Sequence, residues 1–111
     1  MNIKFLIGLF FVLACAQAFG ADGKITISSP ANGATVSSQG KVPLTYEAML
    51  GKNGDHLHLY VDGNRVDILR PTKATTELDA LAPGKHHICL EVNTKAHVST
   101  GVENCVDVTS K

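Results

Sequence analysis

The sequence contains no tryptophan and only 5% aromatic residues, which limits the interfaces it can form. Tryptophan and tyrosine often dominate the binding energy at protein interfaces, so we do not expect a strong aromatic hot spot. An excess of charge is also absent, because ten basic and ten acidic side chains give a formal net charge of +0. Without a basic stripe along the chain, binding of nucleic acid is not expected.

Motifs of the common enzyme classes are absent as well. The sequence has no Gly-rich phosphate-binding loop and no Gly-x-Ser-x-Gly turn that would present a nucleophilic serine. A metal ion on an open sheet face would also lack the walled pocket that catalysis needs. We therefore expect that the protein is not an enzyme.

Long apolar runs are missing except near the N-terminus. The apolar run over residues 5–14 is too short for a membrane-spanning helix, which needs about 20 apolar residues. Lys4 precedes this run and Ala16-Gln17-Ala18 follows it, a pattern typical of a cleavable secretory signal. We predict a signal peptide over residues 1–20 and one periplasmic or secreted domain over residues 21–111, with no transmembrane segment in the mature chain.

Cys15 leaves a second mode of export open. Val12-Leu13-Ala14-Cys15 resembles a bacterial lipobox, in which cleavage precedes the cysteine and a lipid is attached to it. In this alternative the domain is lipid-anchored in the envelope. In the other, Cys15 is an apolar residue of the signal and is removed with it.

The remaining two cysteines agree with export. Cys89 and Cys105 form an even pair, and in an oxidising compartment such a pair predicts a disulfide. The alternative is two buried free thiols.

Apolar and polar residues alternate over most of the chain after residue 21, whereas helical periodicity is scarce. The clearest alternation is His56-Leu57-His58-Leu59-Tyr60-Val61, which ends at Asp62-Gly63-Asn64, a strong hairpin signal. Gly- and Pro-rich turns separate the segments. The predicted strands cover residues 24–28, 42–48, 56–61, 65–69, 75–78, 87–92 and 102–108. About seven short antiparallel strands predict an all-β fold, a single immunoglobulin-like β-sandwich with one cross-strand disulfide.

Alternation also predicts which side chains share a surface. If Leu57, Ile88 and Val106 point into the core, the residues beside them on each strand face outward. In an immunoglobulin-like sandwich these three segments are strands C, F and G, which are neighbours in one sheet. The outward set is His56, His58, Tyr60, Asp62, His87, Cys89, Glu91, Glu103, Cys105 and Asp107.

The disulfide sets the expected register of the last two strands. Two cysteines on neighbouring antiparallel strands are within bonding reach when they lie opposite each other. This register gives two further opposed pairs, Glu91 with Glu103 and His87 with Asp107.

Three of the outward histidines predict a metal site. A His-x-His pair on one strand and a third imidazole on its neighbour can offer three nitrogens to one ion. His56, His58 and His87 fit this description, and neutral imidazoles suit Cu(II), Zn(II) or Ni(II). We take copper or zinc as the expected ion.

Further side chains are candidates for a fourth or supporting position. Glu91 and Asp107 lie on the same predicted face as the three histidines. His97, in the loop between the last two strands, joins only if that loop folds back. His86 is left out, because alternation turns it toward the core or the corner.

Some of these motifs resemble known domains. Ser29-Pro30-Ala31-Asn32-Gly33-Ala34-Thr35-Val36 is similar to the opening of many bacterial Ig-like domains, and residues 81–90 resemble their strand–corner–strand segment. With the strand from His56 to Asp62, the chain resembles an exported bacterial family of unknown function that carries a His-rich strand and a later Pro-Gly-x-His. That family often has consecutive histidines, whereas this chain has His-Leu-His. The resemblance implies an Ig-like fold and export, and it implies no activity.

Two functions of different classes remain open from the sequence. The first is binding of a copper or zinc ion in the periplasm through the histidine cluster. The alternative is a non-catalytic interaction or assembly module that binds an envelope protein and no metal.

Overall fold

A computed structural model of the protein describes residues 22–111. The predicted signal peptide over residues 1–20 and the lipidation candidate Cys15 lie outside the described residues. From residue 22 onward, no helix has the length and apolar character that a membrane span requires.

The described chain forms eight strands, and all seven predicted strands are among them. The eighth is a two-residue strand in the predicted turn region after Pro30. The strands are β1 (Lys24–Ser29), β2 (Thr35–Val36), β3 (Val42–Met49), β4 (His56–Val61), β5 (Asn64–Leu69), β6 (Lys73–Leu78), β7 (Gly84–Asn93) and β8 (Ser99–Ser110).

The strands build two sheets that pack face to face, which confirms the predicted sandwich. One sheet has the order β1-β3-β6 and the other the order β2-β8-β7-β4-β5. Neighbours pair antiparallel, except that β2 pairs in parallel with β8. The predicted neighbours C, F and G are β4, β7 and β8.

Alternation explains where the core lies. Along β3, buried residues alternate with more exposed ones over the whole strand, as expected for one face against a second sheet. The strands of the five-stranded sheet contribute their own inward residues in the same way. The fully buried apolar side chains are Leu44, Tyr46, Leu57, Leu59, Ile88, Leu90 and Val92.

The β4–β5 hairpin has the turn that its sequence predicts. Asp62 and Gly63 have φ angles of 53° and 85°, and both values are left-handed, as a type I′ turn requires. The turn also positions the Asp62 carboxylate against β7, where it accepts a hydrogen bond from the backbone N–H of His87 at 2.8 Å.

The β7–β8 pairing has the predicted register. Cys89 lies opposite Cys105, and the two form a disulfide with an S–S distance of 2.08 Å. The other predicted pairs, Glu91 with Glu103 and His87 with Asp107, are also opposed. The disulfide therefore lies in the middle of the sheet's outer face, between the two ends that carry histidines.

The connection from β7 to β8 is a tight turn that ends in a left-handed residue. The N–H of His97 donates to the carbonyl of Thr94 at 2.8 Å, and the N–H of Thr94 donates to the carbonyl of Val98 at 2.8 Å. His97 has a φ of 65°, at the place after a type I turn where such hairpins need a left-handed conformation. The turn brings the His97 ring to the start of β4.

Candidate metal centre

Three imidazole rings meet at one end of the five-stranded sheet. Nε2 of His56 lies 3.0 Å from Nε2 of His58. Nδ1 of His97 lies 3.3 Å from the first of these nitrogens and 3.1 Å from the second. The three atoms therefore form a nearly equilateral triangle of ring nitrogens, which we call the imidazole cluster.

The size of this triangle fits a transition-metal ion. Nitrogen ligands at about 2.0–2.1 Å from a tetrahedral ion lie about 3.3–3.4 Å apart. The observed separations of 3.0 to 3.3 Å are slightly shorter. A small outward movement of the rings would therefore place all three nitrogens on one face of a coordination sphere, with the remaining position open.

The side chain of Asp55 fixes the tautomer of His56. Nδ1 of His56 lies 2.8 Å from a carboxylate oxygen of Asp55. That oxygen also accepts a hydrogen bond from Arg70 at 3.3 Å. The hydrogen bond from His56 lowers the pKa of Asp55, so it is a carboxylate that can only accept. Nδ1 of His56 therefore carries a proton, and in the neutral ring Nε2 turns its lone pair toward the cluster.

A second chain of polar groups orients His58. The hydroxyl of Tyr60 donates to Glu91 at 3.3 Å, so its oxygen is free to accept from Nδ1 of His58 at 3.4 Å. Asn93 also donates to the same oxygen of Glu91, at 3.1 Å. This arrangement places the proton of His58 on Nδ1 and leaves the lone pair on Nε2, as in metal-binding histidines held by an outer partner.

Burial favours the neutral form of His58. Desolvation lowers the pKa of His58, because burial disfavours the charged imidazolium, and the nearby His56 lowers it further. A neutral imidazole is the form that binds metal. If both rings are neutral with the proton on Nδ1, the 3.0 Å contact between His56 and His58 places two lone pairs against each other.

The cluster is closed on the protein side and open on the solvent side. His56 is 1% exposed and His58 is 3% exposed, although both lie on the outer face of the sheet, as predicted. His97 is exposed and covers them from the β7–β8 turn. An ion at the centre of the triangle would therefore have protein nitrogens on one side and solvent access on the other.

The structure does not bring His87 to the other two predicted ligands. Because β4 and β7 are antiparallel, Asn93 lies opposite His56 and Glu91 lies opposite His58. His87 comes beyond the far end of β4, beside the Asp62 turn. Four residues of strand, about 13 Å, therefore separate the positions of His87 and His58 along the sheet.

The two predicted supporting carboxylates also separate. Glu91 lies opposite His58 but accepts a hydrogen bond from the Tyr60 hydroxyl, which in turn lies beside His58. Asp107 pairs with Nδ1 of His87 at 2.6 Å at the other end of the sheet. His97, expected to join only if its loop folds back, lies within 3.3 Å of both other histidines.

A second pair of histidines, His86 and His87, faces carboxylates instead of other nitrogens. Nδ1 of His86 lies 2.6 Å from the carboxylate of Asp62, and Nε2 lies 2.7 Å from the carbonyl oxygen of Ala82. The hydrogen bond to Asp62 raises the pKa of His86 above its usual value, and the bond to Ala82 raises it further. Both ring nitrogens of His86 therefore face acceptors, which favours the imidazolium form and joins β7 to two neighbouring turns.

No known protein family matches the sequence, and no curated protein does either. Solved structures do match its fold. Fibronectin(III)-like modules of Clostridium thermocellum CbhA are similar with a TM-score of 0.63 at 15% identity, over 80% of this chain and 95% of theirs. An engineered protein is similar with a TM-score of 0.55 at 19% identity, over 78% of this chain and 20% of its own.

A lytic polysaccharide monooxygenase from Jonesia denitrificans is also similar, with a TM-score of 0.53 at 25% identity. The match covers 74% of this chain and 60% of the monooxygenase. This chain therefore spans about three-fifths of that enzyme. Together the neighbours show a fibronectin(III)-like, immunoglobulin-like sandwich, a fold that serves unrelated functions.

Proposed function

We propose that this protein is an exported, non-catalytic binder of zinc(II) or copper(II), which it holds through His56, His58 and His97. The observation that carries the proposal is the convergence of three ring nitrogens to within 3.3 Å of one another. His97 is the third ligand in this proposal, whereas the sequence pattern predicts His87.

The outer partners support binding of a cation. Asp55 and Tyr60 hold the protons of His56 and His58 on the ring nitrogens that face away from the cluster. With His56 and His58 both neutral, the triangle holds two lone pairs and at most one N–H, which His97 would provide. A cation would replace that unfavourable contact with three coordinate bonds.

The donor set favours zinc(II) and copper(II) over harder ions. Imidazole nitrogen suits both metals, whereas magnesium and calcium prefer oxygen ligands. Three ligands on one face leave at least one position for water or for a small ligand from solvent. In the periplasm, such a site would suit storage or transfer of the ion.

Binding is proposed rather than catalysis because of the surroundings of the cluster. His97 is exposed, so an ion beside it would meet solvent instead of a walled substrate pocket. The similarity to a monooxygenase concerns a fold that is also found in fibronectin(III)-like modules, and a fold alone does not assign an activity.

The test is a competitive titration of the oxidised protein with Zn(II) and Cu(II) against a chromophoric chelator. We expect one ion per chain with sub-micromolar affinity, and a loss of at least about 100-fold in His58→Ala, since one of three ligands is removed. His87→Ala is the matched control and should bind like the wild type. Weak binding, or equal losses in both variants, would contradict the metal site and leave an envelope interaction module.

Export is tested separately by the intact mass of the protein recovered from the periplasm or envelope. A cut near Ala18 or Gly20 would support a soluble exported domain. A diacylglyceryl adduct on Cys15 would instead establish the lipid-anchored alternative. An unprocessed N-terminus would contradict export.

A further inference from the structure

A second group of potential ligands surrounds the disulfide. One donor atom each from His87, Cys89 and Cys105 lies within 4.8 Å of the other two. In the folded, oxidised protein both sulfurs are used by the S–S bond. The group therefore binds no metal in this state, and its chemistry depends on whether the bond is intact.

Strand geometry places these three residues together without help from a loop. His87 and Cys89 are two residues apart on β7 and so face the same side of the sheet. Cys105 lies directly opposite Cys89 on β8. Because the backbone pairing of β7 and β8 holds this arrangement, the three side chains remain neighbours after the S–S bond is broken.

Asp107 prepares the imidazole of this group. It lies opposite His87, and its carboxylate is 2.6 Å from Nδ1 of the ring. A carboxylate at this distance accepts the Nδ1–H, which leaves the lone pair of Nε2 for a metal. Carboxylate–histidine pairs of this kind are regular outer partners of zinc ligands.

The group is also accessible. The side chains of His87 and Asp107 are 54% and 70% exposed, and both line an open cleft of about 400 Å³. Cys105 is half-buried whereas Cys89 is 6% exposed. A reductant would therefore attack at Cys105, and an ion would enter from the side of His87.

We propose that reduction of the disulfide turns His87, Cys89 and Cys105 into a zinc(II) site of the Cys₂His type, separate from the imidazole cluster. Two thiolates and one imidazole are a known ligand set for zinc, with water in the fourth position. The sulfurs would move apart to about 3.7 Å, the separation that zinc–sulfur bonds of about 2.3 Å impose in a tetrahedral site.

The redox step balances with a dithiol as reductant. The dithiol gives two electrons and two protons to the S–S bond, which becomes two cysteine thiols while the dithiol becomes a disulfide. Zinc binding then releases the two thiol protons to solvent. In reverse, a two-electron oxidant re-forms the S–S bond and expels zinc(II) with its charge unchanged.

The experiment uses the His58→Ala protein, in which the imidazole cluster is disabled, and cobalt(II) as a spectroscopic substitute for zinc. Oxidised and phosphine-reduced samples are titrated with Co(II) while absorption is followed from the near-ultraviolet to the visible. We expect one equivalent to bind only after reduction, with sulfur-to-cobalt charge transfer and tetrahedral d–d bands. Zn(II) should then displace the cobalt.

Two further variants test the assignment of the imidazole. His87→Ala should weaken Co(II) binding by at least about 10-fold, whereas His86→Gln, which changes the adjacent histidine on the other side of the strand, should not. Absence of a charge-transfer band after reduction would overturn the proposal. Equal affinity in His87→Ala would overturn it too, because the thiolates would then bind alone.

Folding of the reduced chain is followed by its amide NMR spectrum. A dispersed spectrum, before or after Zn(II) is added, would show that the reduced chain is folded. It would support a Cys₂His site whose ligands are held together by the strands. A reduced chain that stays unfolded with Zn(II) present would contradict the proposal. The outcome for the imidazole cluster is independent, since that site is tested in the oxidised protein.

Discussion

The two ends of the five-stranded sheet carry histidines in opposite chemical settings. At the start of β4, the ring nitrogens of His56, His58 and His97 face one another. At the end of β4, the ring nitrogens of His86 and His87 face carboxylates. Both sets of residues are histidines on the same sheet, so they differ in the groups that their ring nitrogens contact. Lone pairs that converge suit a cation. At the other end, the Nδ1–H groups of His86 and His87 face carboxylates and join neighbouring strands and turns, and only Nε2 of His87 is left for the zinc site proposed in the reduced protein.

The pKa shifts follow the same division. Burial lowers the pKa of His58 and favours the neutral, metal-binding ring. The hydrogen bond to Asp62 raises the pKa of His86 and favours imidazolium. Both nitrogens of His86 donate, to Asp62 and to the carbonyl of Ala82, so its ring has no lone pair left for a metal.

The largest expected difference between the two ends is stabilisation by zinc. A ligand that binds only the folded state at a free concentration of 100 times its Kd raises the free energy of unfolding by about 2.7 kcal/mol. We expect this gain in the oxidised wild type and in His87→Ala, its loss in His58→Ala, and its reversal by a chelator. Urea denaturation with and without Zn(II) measures it. A similar rise in the free energy of unfolding of His58→Ala would mean that zinc binds at a site other than the imidazole cluster.

The second-largest effect concerns the carboxylate that accepts a hydrogen bond from a histidine ring at each end of the sheet. Asp55→Asn weakens the acceptor that orients His56, and we expect about 10-fold weaker zinc binding. Asp107→Asn is the matched change at the other end and should leave the affinity of the oxidised protein unchanged. Chelator competition measures both variants. Equal affinities for Asp55→Asn and wild type would mean that the carboxylate does not orient the ligand.

A smaller effect separates the stability of the turn from metal binding. His97 holds a left-handed φ of 65°, a conformation that glycine adopts without steric cost. We expect His97→Gly to raise the free energy of unfolding of the metal-free protein by about 0.5–1 kcal/mol. His97→Ala keeps the strain and should show no such gain. Both variants should lose tight metal binding.

Urea denaturation in the presence of a chelator compares the two His97 variants. If His97→Gly were less stable than His97→Ala, the left-handed residue would carry no strain. If either variant retained wild-type affinity for zinc, His97 would not be a ligand.

The smallest expected effect is the pH dependence at the other end of the sheet. Because the folded-state pKa of His86 is raised, its contribution to stability is full below the usual histidine pKa of about 6.5. It is lost as the pH rises through the raised value. The stability difference between wild type and His86→Gln should therefore shrink from pH 5.5 to pH 9. Thermal unfolding of the oxidised protein with chelator measures it, and a difference that grows with pH would contradict the assignment.

Much of the fold is predictable from local patterns. Strict alternation at His56–Val61 and the Asp62-Gly63 turn specify the β4–β5 hairpin, because strand periodicity and turn type are local properties. The pair Cys89 and Cys105 sets the β7–β8 register. The two-residue strand β2 is not predictable in this way, since so short a segment has no alternation and depends on its pairing with β8.

The candidate site is only partly predictable, for two physical reasons. His87 shares a face with His58, but the antiparallel direction of β4 and β7 carries it to the far end of the sheet. His97 enters the site through a turn whose left-handed position more often holds glycine. The one sequence signal for this ligand is that a histidine occupies the left-handed position in the five residues between β7 and β8.

The imidazole cluster as a zinc site is tested most directly by long-range ¹H–¹⁵N NMR of the histidine rings in the oxidised protein during titration with Zn(II). We expect one equivalent to shift Nε2 of His56, Nε2 of His58 and Nδ1 of His97, while the rings of His86 and His87 keep their spectra. Shifts at His86 or His87, or binding of His97 through Nε2, would contradict the account.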